Sequence, residues 1–268
     1  MKRAHTVALA VLGVVFAATL ASQVLAPAHY ATQFREAANA APSARFLLGN
    51  DDLGRDRLSR LLYGGRVSLL LAPAAAALST LIAALIGTIA GHRGGMWEKL
   101  TMATVDLFLS FPWLFLLITV RAMLPLDVAP AISVMVTFAL LGLLGWAASA
   151  RVVCAGVRAL RGSEFMLQAR ALGCRPRRLI AVQLMPNMKA ALAAQFLISI
   201  PVFVLAEANL SMLGLGVAEP LPSLGGLMRE MENFSGLAAQ PWRLAPLVLL
   251  VICVSAFQIL VSRREVEA

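Results

Sequence analysis

The residues able to do chemistry are few, and most sit where catalysis is hard to build. Two carboxyls, Asp106 and Glu207, lie inside otherwise uncharged apolar runs. An ionised carboxylate in hydrocarbon is costly, so each must face protein or water. A gate or cavity contact is one use of such a group, and a hydrogen bond between helices is the other. Cys154, Cys174 and Cys253 are odd in number and far apart, and His5, His29 and His92 are not grouped with them. Neither a disulfide framework nor a zinc site is expected. The phosphate-cradling GxxxxGK[ST] loop, HExxH, GxSxG and GxGxxG do not occur, so the chain cannot hold ATP phosphates by itself. It carries no catalytic or metal-ligating constellation and is not expected to be an enzyme.

The elements that position these residues are read from hydropathy. Of 268 residues, 60% are hydrophobic and 14% charged, against about 25% charged in a typical soluble domain. That excludes a disordered chain, a nucleic-acid-binding tail protein and a soluble enzyme. A spanning helix needs about 20 mostly apolar residues, and six runs qualify: 6–25, 67–90, 103–120 (with Asp106), 129–150, 190–210 (with Glu207) and 244–261. The fold class is an all-α integral membrane protein of about six transmembrane helices. Residues 1–26 form the first span. Lys2, Arg3 and the Val24-Leu25-Ala26 stretch resemble a signal peptide, but the run is long and Pro27 follows the cut site, so an uncleaved helix is expected.

Charge orients the bundle. From Arg151 to Lys189 there are eight basic residues and one acid, whereas Pro27–Arg66 holds six Arg and four acids, and Ser211–Arg243 two Arg and three Glu. The positive-inside rule puts loop 151–189, both termini and tail 263–268 in the cytoplasm, with loops 27–66 and 211–243 outside. The net charge of +9 is therefore read as orientation, not as nucleic-acid binding. Core 67–262 carries the remaining five spans. Asp106 then falls near the cytoplasmic end of the third span and Glu207 near the outer end of the fifth. Pro112, beside Phe111, is expected to kink the third span. An amphipathic element is expected near 45–66, where Asp51, Asp52, Arg55 and Asp56 form local ion pairs or meet an outer partner. Gly87 and Gly91 suit close helix packing.

The cytoplasmic loop is the most informative segment. Ser163–Leu172 reads as a short helix with Ser163 as N-cap and Glu164 at its positive end. Gly173 ends it, Pro176 opens a second helix and Pro186 breaks that helix before the fifth span. Leu167, Ala169 and Leu172 give it an apolar surface, Arg170 a charge. Such a segment docks into a groove on another protein or lies on lipid headgroups.

These residues resemble the EAA loop of ABC-importer permeases, whose pattern is EAA, three residues, Gly, nine residues, Ile-x-Leu-Pro. Ala169, Gly173 and Pro186 match, while the family's Glu falls on Leu167 and its first Ala on Gln168. The stretch Leu48-Gly-Asn-Asp-Asp-Leu-Gly-Arg-Asp56, followed by Leu58-Ser-Arg-Leu-Leu-Tyr-Gly-Gly-Arg-Val-Ser-Leu, resembles the second ("C") permease of the dipeptide, oligopeptide and nickel subfamily. Glu207-Ala-Asn-Leu-Ser-Met-Leu-Gly-Leu-Gly216 is similar to its fifth span's outer end. The family's C-terminal pattern is replaced by Ser262-Arg-Arg-Glu-Val-Glu-Ala268.

The resemblance implies an ABC type I importer permease in a bacterial inner membrane. Its partners would be a sister permease, two ATPase subunits that bind ATP and Mg, and an extracytoplasmic binding protein; this chain itself would hold no cofactor. Glu164, Leu167, Gln168, Ala169, Arg170, Leu172, Gly173 and Pro186 are the expected ATPase-coupling residues. Asp106, Phe111, Pro112, Glu207 and Asn209 are the expected pathway or gate residues. Asp51, Asp52, Arg55 and Asp56 are the expected outer contacts. The implied cargo is a peptide. Nickel or another small solute, a transport-inactive scaffold and an ATP-independent channel are the readings left open.

Overall fold

The computed structural model of the chain describes residues 2–125, 128–232, 237–238 and 240–267, with side chains described between 3 and 262. Among the described residues the chain is helical, with no strand beyond two isolated bridges, Gln33 with Arg55 and Asn50 with Asp56. The principal helices are α1 (Lys2–Leu20), α2 (Arg57–Arg93), α3 (Gly95–Ser110), α4 (Trp113–Ala122), α5 (Pro130–Leu144), α6 (Ala147–Arg161), α7 (Glu164–Ala171), α8 (Met185–Met212), α9 (Leu224–Met228) and α10 (Ala245–Glu267). Five helical stretches are long and apolar enough to cross a membrane: Arg3–Leu20, Arg57–Arg93, Pro130–Arg161, Pro176–Met212 and Pro241–Ser262. The expected tail 263–268 is seen only as helical backbone through Glu267, and Ala268 lies outside the described residues.

α2 is the central element, packed against α5, α6 and α8. It starts at Asp56, whose Oδ2 accepts from the Ser59 N–H at 2.7 Å and from the Ser59 hydroxyl at 2.6 Å. Both glycines expected to mark close packing do so. A Cβ on Gly87 would stand 2.7 Å from the Ala150 carbonyl, and one on Gly91 2.7 Å from that of Cys154. α6 therefore lies directly on the α2 backbone, where any side chain would push it away.

Three expectations need correction. The third apolar run is bent more sharply than a kink, as a broken span or a re-entrant pair: α3 and α4 meet at 80°. Proline drives the residue before it out of the helical region, and Phe111 is extended, with φ −81° and ψ 133°. The second helix begins at Arg57, not Val67, because Asp56 caps it there, so 57–66 of the expected amphipathic element is its first part; residues 27–56 form an irregular loop with one short turn at Arg35–Ala37. Pro186 does not break the chain, which stays helical from Pro176 to Met212. The turn Leu179–Leu184 widens to π geometry just before it, and Met185 donates to Ile180, five residues back. A wider turn gives the proline ring room and absorbs its missing N–H.

The connections gather at two ends. Loop 26–56 and the first residue of α2 interlock with segment 213–232 and Arg243 through Arg55–Glu219 at 2.8 Å, Arg57–Glu230, and Arg243 with Asp52 at 3.4 Å. At the opposite end lie α7, the α2–α3 turn, and the ion pair Arg158–Glu98 at 3.1 Å. Replacing Asp56 by Ala removes the α2 cap and is expected to cost about 0.5–2 kcal/mol, read as a lower midpoint of thermal unfolding in detergent.

Candidate functional site

At the end holding α7, two faces of one short helix do different things. Met166 and Ala169 are buried and pack with Val153 and Val157 of α6, Leu179 and Leu184 of the π turn, and Met188 of α8. Glu164, Leu167, Gln168, Arg170 and Leu172 are exposed. Ser163 occupies the N-cap position, but its hydroxyl donates backward to the Leu160 carbonyl at 2.6 Å and its own carbonyl receives the Met166 and Leu167 N–H groups. The helix ends in a Schellman closure: the Gly173 N–H reaches the Arg170 carbonyl and the Cys174 N–H the Ala169 carbonyl. That closure needs a left-handed residue, and Gly173 has φ +73°. A Cβ at Gly173 would meet nothing within 4 Å. Its requirement is conformational, and Ala169, expected on the helix's apolar surface, points into the protein's own core. Pro186 is exposed.

The bend between α3 and α4 opens a cavity of about 370 Å³. Phe108, Phe111, Pro112, Trp113, Gln195 and Phe203 are among its walls. Trp113 stacks on Phe203 at a 5.9 Å centroid separation. The polar groups here are Gln195, Ser149 and Ser199; the Ser149 hydroxyl donates to Gln195 Oε1 at 3.0 Å and the Ser199 hydroxyl to the Gln195 carbonyl at 2.8 Å. The expected pathway residues Phe111 and Pro112 are therefore brought together at this cavity, but Asp106, Glu207 and Asn209 are not. Asp106 pairs with Arg151 across α3 and α6, beside the Glu98–Arg158 pair, in a neighbouring depression of about 290 Å³. Asn209 is exposed on α8 and lines neither space.

Glu207 faces no cavity; it is fully buried. Its Oε1 accepts from the Ser211 hydroxyl at 2.6 Å and the Ser223 hydroxyl at 2.7 Å, and its Oε2 from Ser68 at 3.2 Å. The serines are aimed by the backbone. Ser68 Oγ receives the Leu224 N–H at 3.1 Å and Ser223 Oγ the Gly226 N–H at 3.0 Å, which leaves each hydroxyl proton for the carboxyl. Three hydrogen bonds satisfy a carboxyl that burial would otherwise leave without partners. The gate reading of Glu207 gives way to a clamp joining α2, α8 and α9.

The outer residues are likewise internal. Asp51 is buried and accepts from Arg55 Nε at 2.6 Å; Arg55 and Arg60 both reach Glu219, at 2.8 and 2.9 Å, and Arg60 lies 3.6 Å from Asp51. Burial works against ionisation of Glu219, yet Arg60 and Arg55 together hold its carboxyl below the usual range. Asp56 is consumed as a cap, and only Asp52 of the expected outer contacts is exposed. Glu219 escaped the sequence reading because its partners lie over 150 positions away; Arg121, buried on α4 and donating to Ser133 twelve positions on at 3.1 Å, was also missed. Gln195 carried a signal, a polar side chain within an apolar run.

The sequence profile described as "Binding-protein-dependent transport system inner membrane component" matches residues 83–264. An oligopeptide transport system permease protein OppC of Bacillus subtilis (strain 168) is 34% identical over 203 residues, covering 76% of this chain and 64% of that protein, so the match spans just under two thirds of the relative. A dipeptide transport system permease protein DppC of the same strain is 30% identical over 223 residues, covering 83% and 68%. An OppC of Mycobacterium tuberculosis (strain ATCC 25618 / H37Rv) is 34% identical over 255 residues, covering 94% and 86%. Among solved structures, the MetNI methionine ABC transporter in an inward-facing conformation aligns with a TM-score of 0.57 at 21% identity, over 77% of this chain and 94% of that one. At that identity the likeness establishes the fold.

The clamp has a direct test. Glu207→Ala strands three buried hydroxyls at about 1–3 kcal/mol each, and faster hydrogen exchange across 213–228 is the expected result. Unchanged exchange there would contradict the clamp.

Proposed function

This chain belongs to the family of binding-protein-dependent transport system inner membrane components, and we propose that it serves as one of two permease subunits of an ATP-driven peptide importer. Peptides are the cargo suggested by its likeness to oligopeptide and dipeptide permeases. The nucleotide chemistry belongs to partner ATPases, which bind ATP and Mg; an extracytoplasmic binding protein delivers the peptide to the end formed by loops 26–56 and 213–243. Both termini lie on the cytoplasmic side, as the concentration of arginines in 151–189 favours.

The observation that carries this reading is the two-faced α7. Its inner face is locked by Met166 and Ala169 onto α6 and α8. Its outer face offers Leu167 and Leu172, 54% and 84% exposed, beside Arg170. An ATPase groove that grips Leu167, Gln168, Arg170 and Leu172 then moves the ends of two spanning stretches as one body. The family glutamate is absent at Leu167, so the grip is apolar there, with Glu164 one turn away. α8 carries the movement to Gln195 and Phe203 on the wall of the bend cavity, which serves as this chain's part of the translocation pathway. Phe111 and Pro112 form its hinge side. Asp106, paired with Arg151, lies on the cytoplasmic side of that cavity.

Gly173→Leu places a side chain in left-handed backbone at a cost of about 1–2 kcal/mol, and the αL exit of α7 is lost. The expected outcome is an inserted, assembled transporter whose peptide uptake and peptide-stimulated ATPase activity both fall at least tenfold. Wild-type coupling in that variant would overturn the role of α7.

A further inference from the structure

Arg66 occupies a place that the transport reading does not use. It is the residue on α2 immediately before the apolar run Val67–Ala90, so it sits at the level where hydrocarbon gives way to headgroups. The neighbouring arginines are engaged: Arg55 and Arg60 with Glu219, Arg57 with Glu230. Arg66 has no ion pair or hydrogen bond among the described residues, and it is half-buried. Its neighbours at this level are the chain's two tyrosines. Tyr30 and Tyr63 meet edge to face at 5.1 Å, with His29 against both rings.

Arg66, Tyr30 and Tyr63 form the head of an open depression of about 350 Å³ whose floor is Val67, Leu70, Leu71 and Leu221. Leu71 also lines a second, apolar depression of about 210 Å³ between α2 and α5, which reaches Leu78 and Met135. From Arg66 to Leu78 is twelve residues, about 18 Å along the helix axis at 1.5 Å per residue. One leaflet of hydrocarbon is about 15 Å deep. The furrow thus has one unpaired cation and two phenols at headgroup level, and an apolar track one leaflet long below them.

We propose that this furrow is a binding site for one anionic phospholipid of the outer leaflet. Arg66 takes the headgroup phosphate, the Tyr63 and Tyr30 hydroxyls flank it, and an acyl chain lies along Leu70, Leu71 and Leu78. The charge selects the lipid. A guanidinium at the membrane surface attracts a net negative headgroup, whereas a zwitterionic one brings its own cation. The site rests on the membrane orientation of α2 and not on the cargo or the ATPase contact.

The test is native mass spectrometry of the full chain in detergent, alone and in the assembled transporter, titrated with phosphatidylglycerol, phosphatidylcholine or inorganic phosphate. Phosphatidylglycerol is expected to bind at least tenfold more tightly than phosphatidylcholine, and inorganic phosphate is expected to leave its binding unchanged. Arg66→Gln should remove that preference, Arg66→Lys should keep most of it, and Tyr63→Phe should weaken binding a fewfold. Equal affinity for the two lipids, or a preference that survives Arg66→Gln in a chain with unchanged thermal midpoint, overturns the proposal. Loss of the bound lipid on assembly with a sister subunit also overturns it, since the furrow is then a protein interface. Failure of peptide transport in a reconstituted complex would leave the lipid result standing, so the two readings fail separately.

Discussion

Hydrocarbon offers no hydrogen bonds, and the end of this protein that holds loops 26–56 and 213–243 is organised around a buried carboxyl that must be satisfied from within the chain. Glu207 sits on α8 with no exposure, and the three hydroxyls that reach it come from three places: Ser68 on α2, Ser211 one turn along α8, and Ser223 at the start of α9. None of these contacts is local except Ser211. The clamp therefore fixes where the outer loop returns to the bundle. With α9 held, Glu219 is brought against Arg55 and Arg60, and Arg57 against Glu230. The outer loops become one interlocked cap, and the charges there are mostly spent on one another.

The opposite end is built by a different rule. Its exposed arginines are largely unspent, and its order comes from apolar packing beneath α7. Met166 and Ala169 seat the helix, the Schellman closure at Gly173 turns the chain, and a π turn carries it past Pro186 into α8 without a break. An interlocked cap at one end and, at the other, a helix packed onto α6 and α8 suit a device moved from one side only. The bend at Phe111–Pro112 lies between them, and a cavity of about 370 Å³ opens there.

Much of this was legible in the residues. Long apolar runs dictate membrane helices because each must bury or expose about 30 Å of uninterrupted hydrocarbon surface, and five of the six runs appear as continuous helical stretches. The short helix 164–171 and its glycine exit were readable from Ser163, Glu164 and Gly173, whose preferences are local. What was not legible was nonlocal. Arg60 reads as a surface base until Glu219, 159 positions on, is seen against it, whereas the Asp51–Arg55 pair is the local ion pair the residues suggest. Glu207 reads as a gate until three serines converge on it. Prolines misled in both directions, since Pro112 breaks a helix more completely than a kink and Pro186 hardly disturbs one. The difference lies in the neighbouring backbone, which adopts an extended residue at Phe111 and a widened turn at Leu179–Leu184.

The central claim is that the exposed face of α7 is gripped by an ATPase. The direct measurement is site-specific photo-crosslinking from Leu167 and, as an internal control, from buried Met166, in membranes containing the assembled transporter. Crosslinks from Leu167 to an ATPase subunit, changing in yield when ATP is added, with Met166 trapping only this chain, are what the structure predicts. Crosslinks from Leu167 to lipid alone, with ATPases present and bound elsewhere, would make α7 a membrane-surface helix and contradict the account.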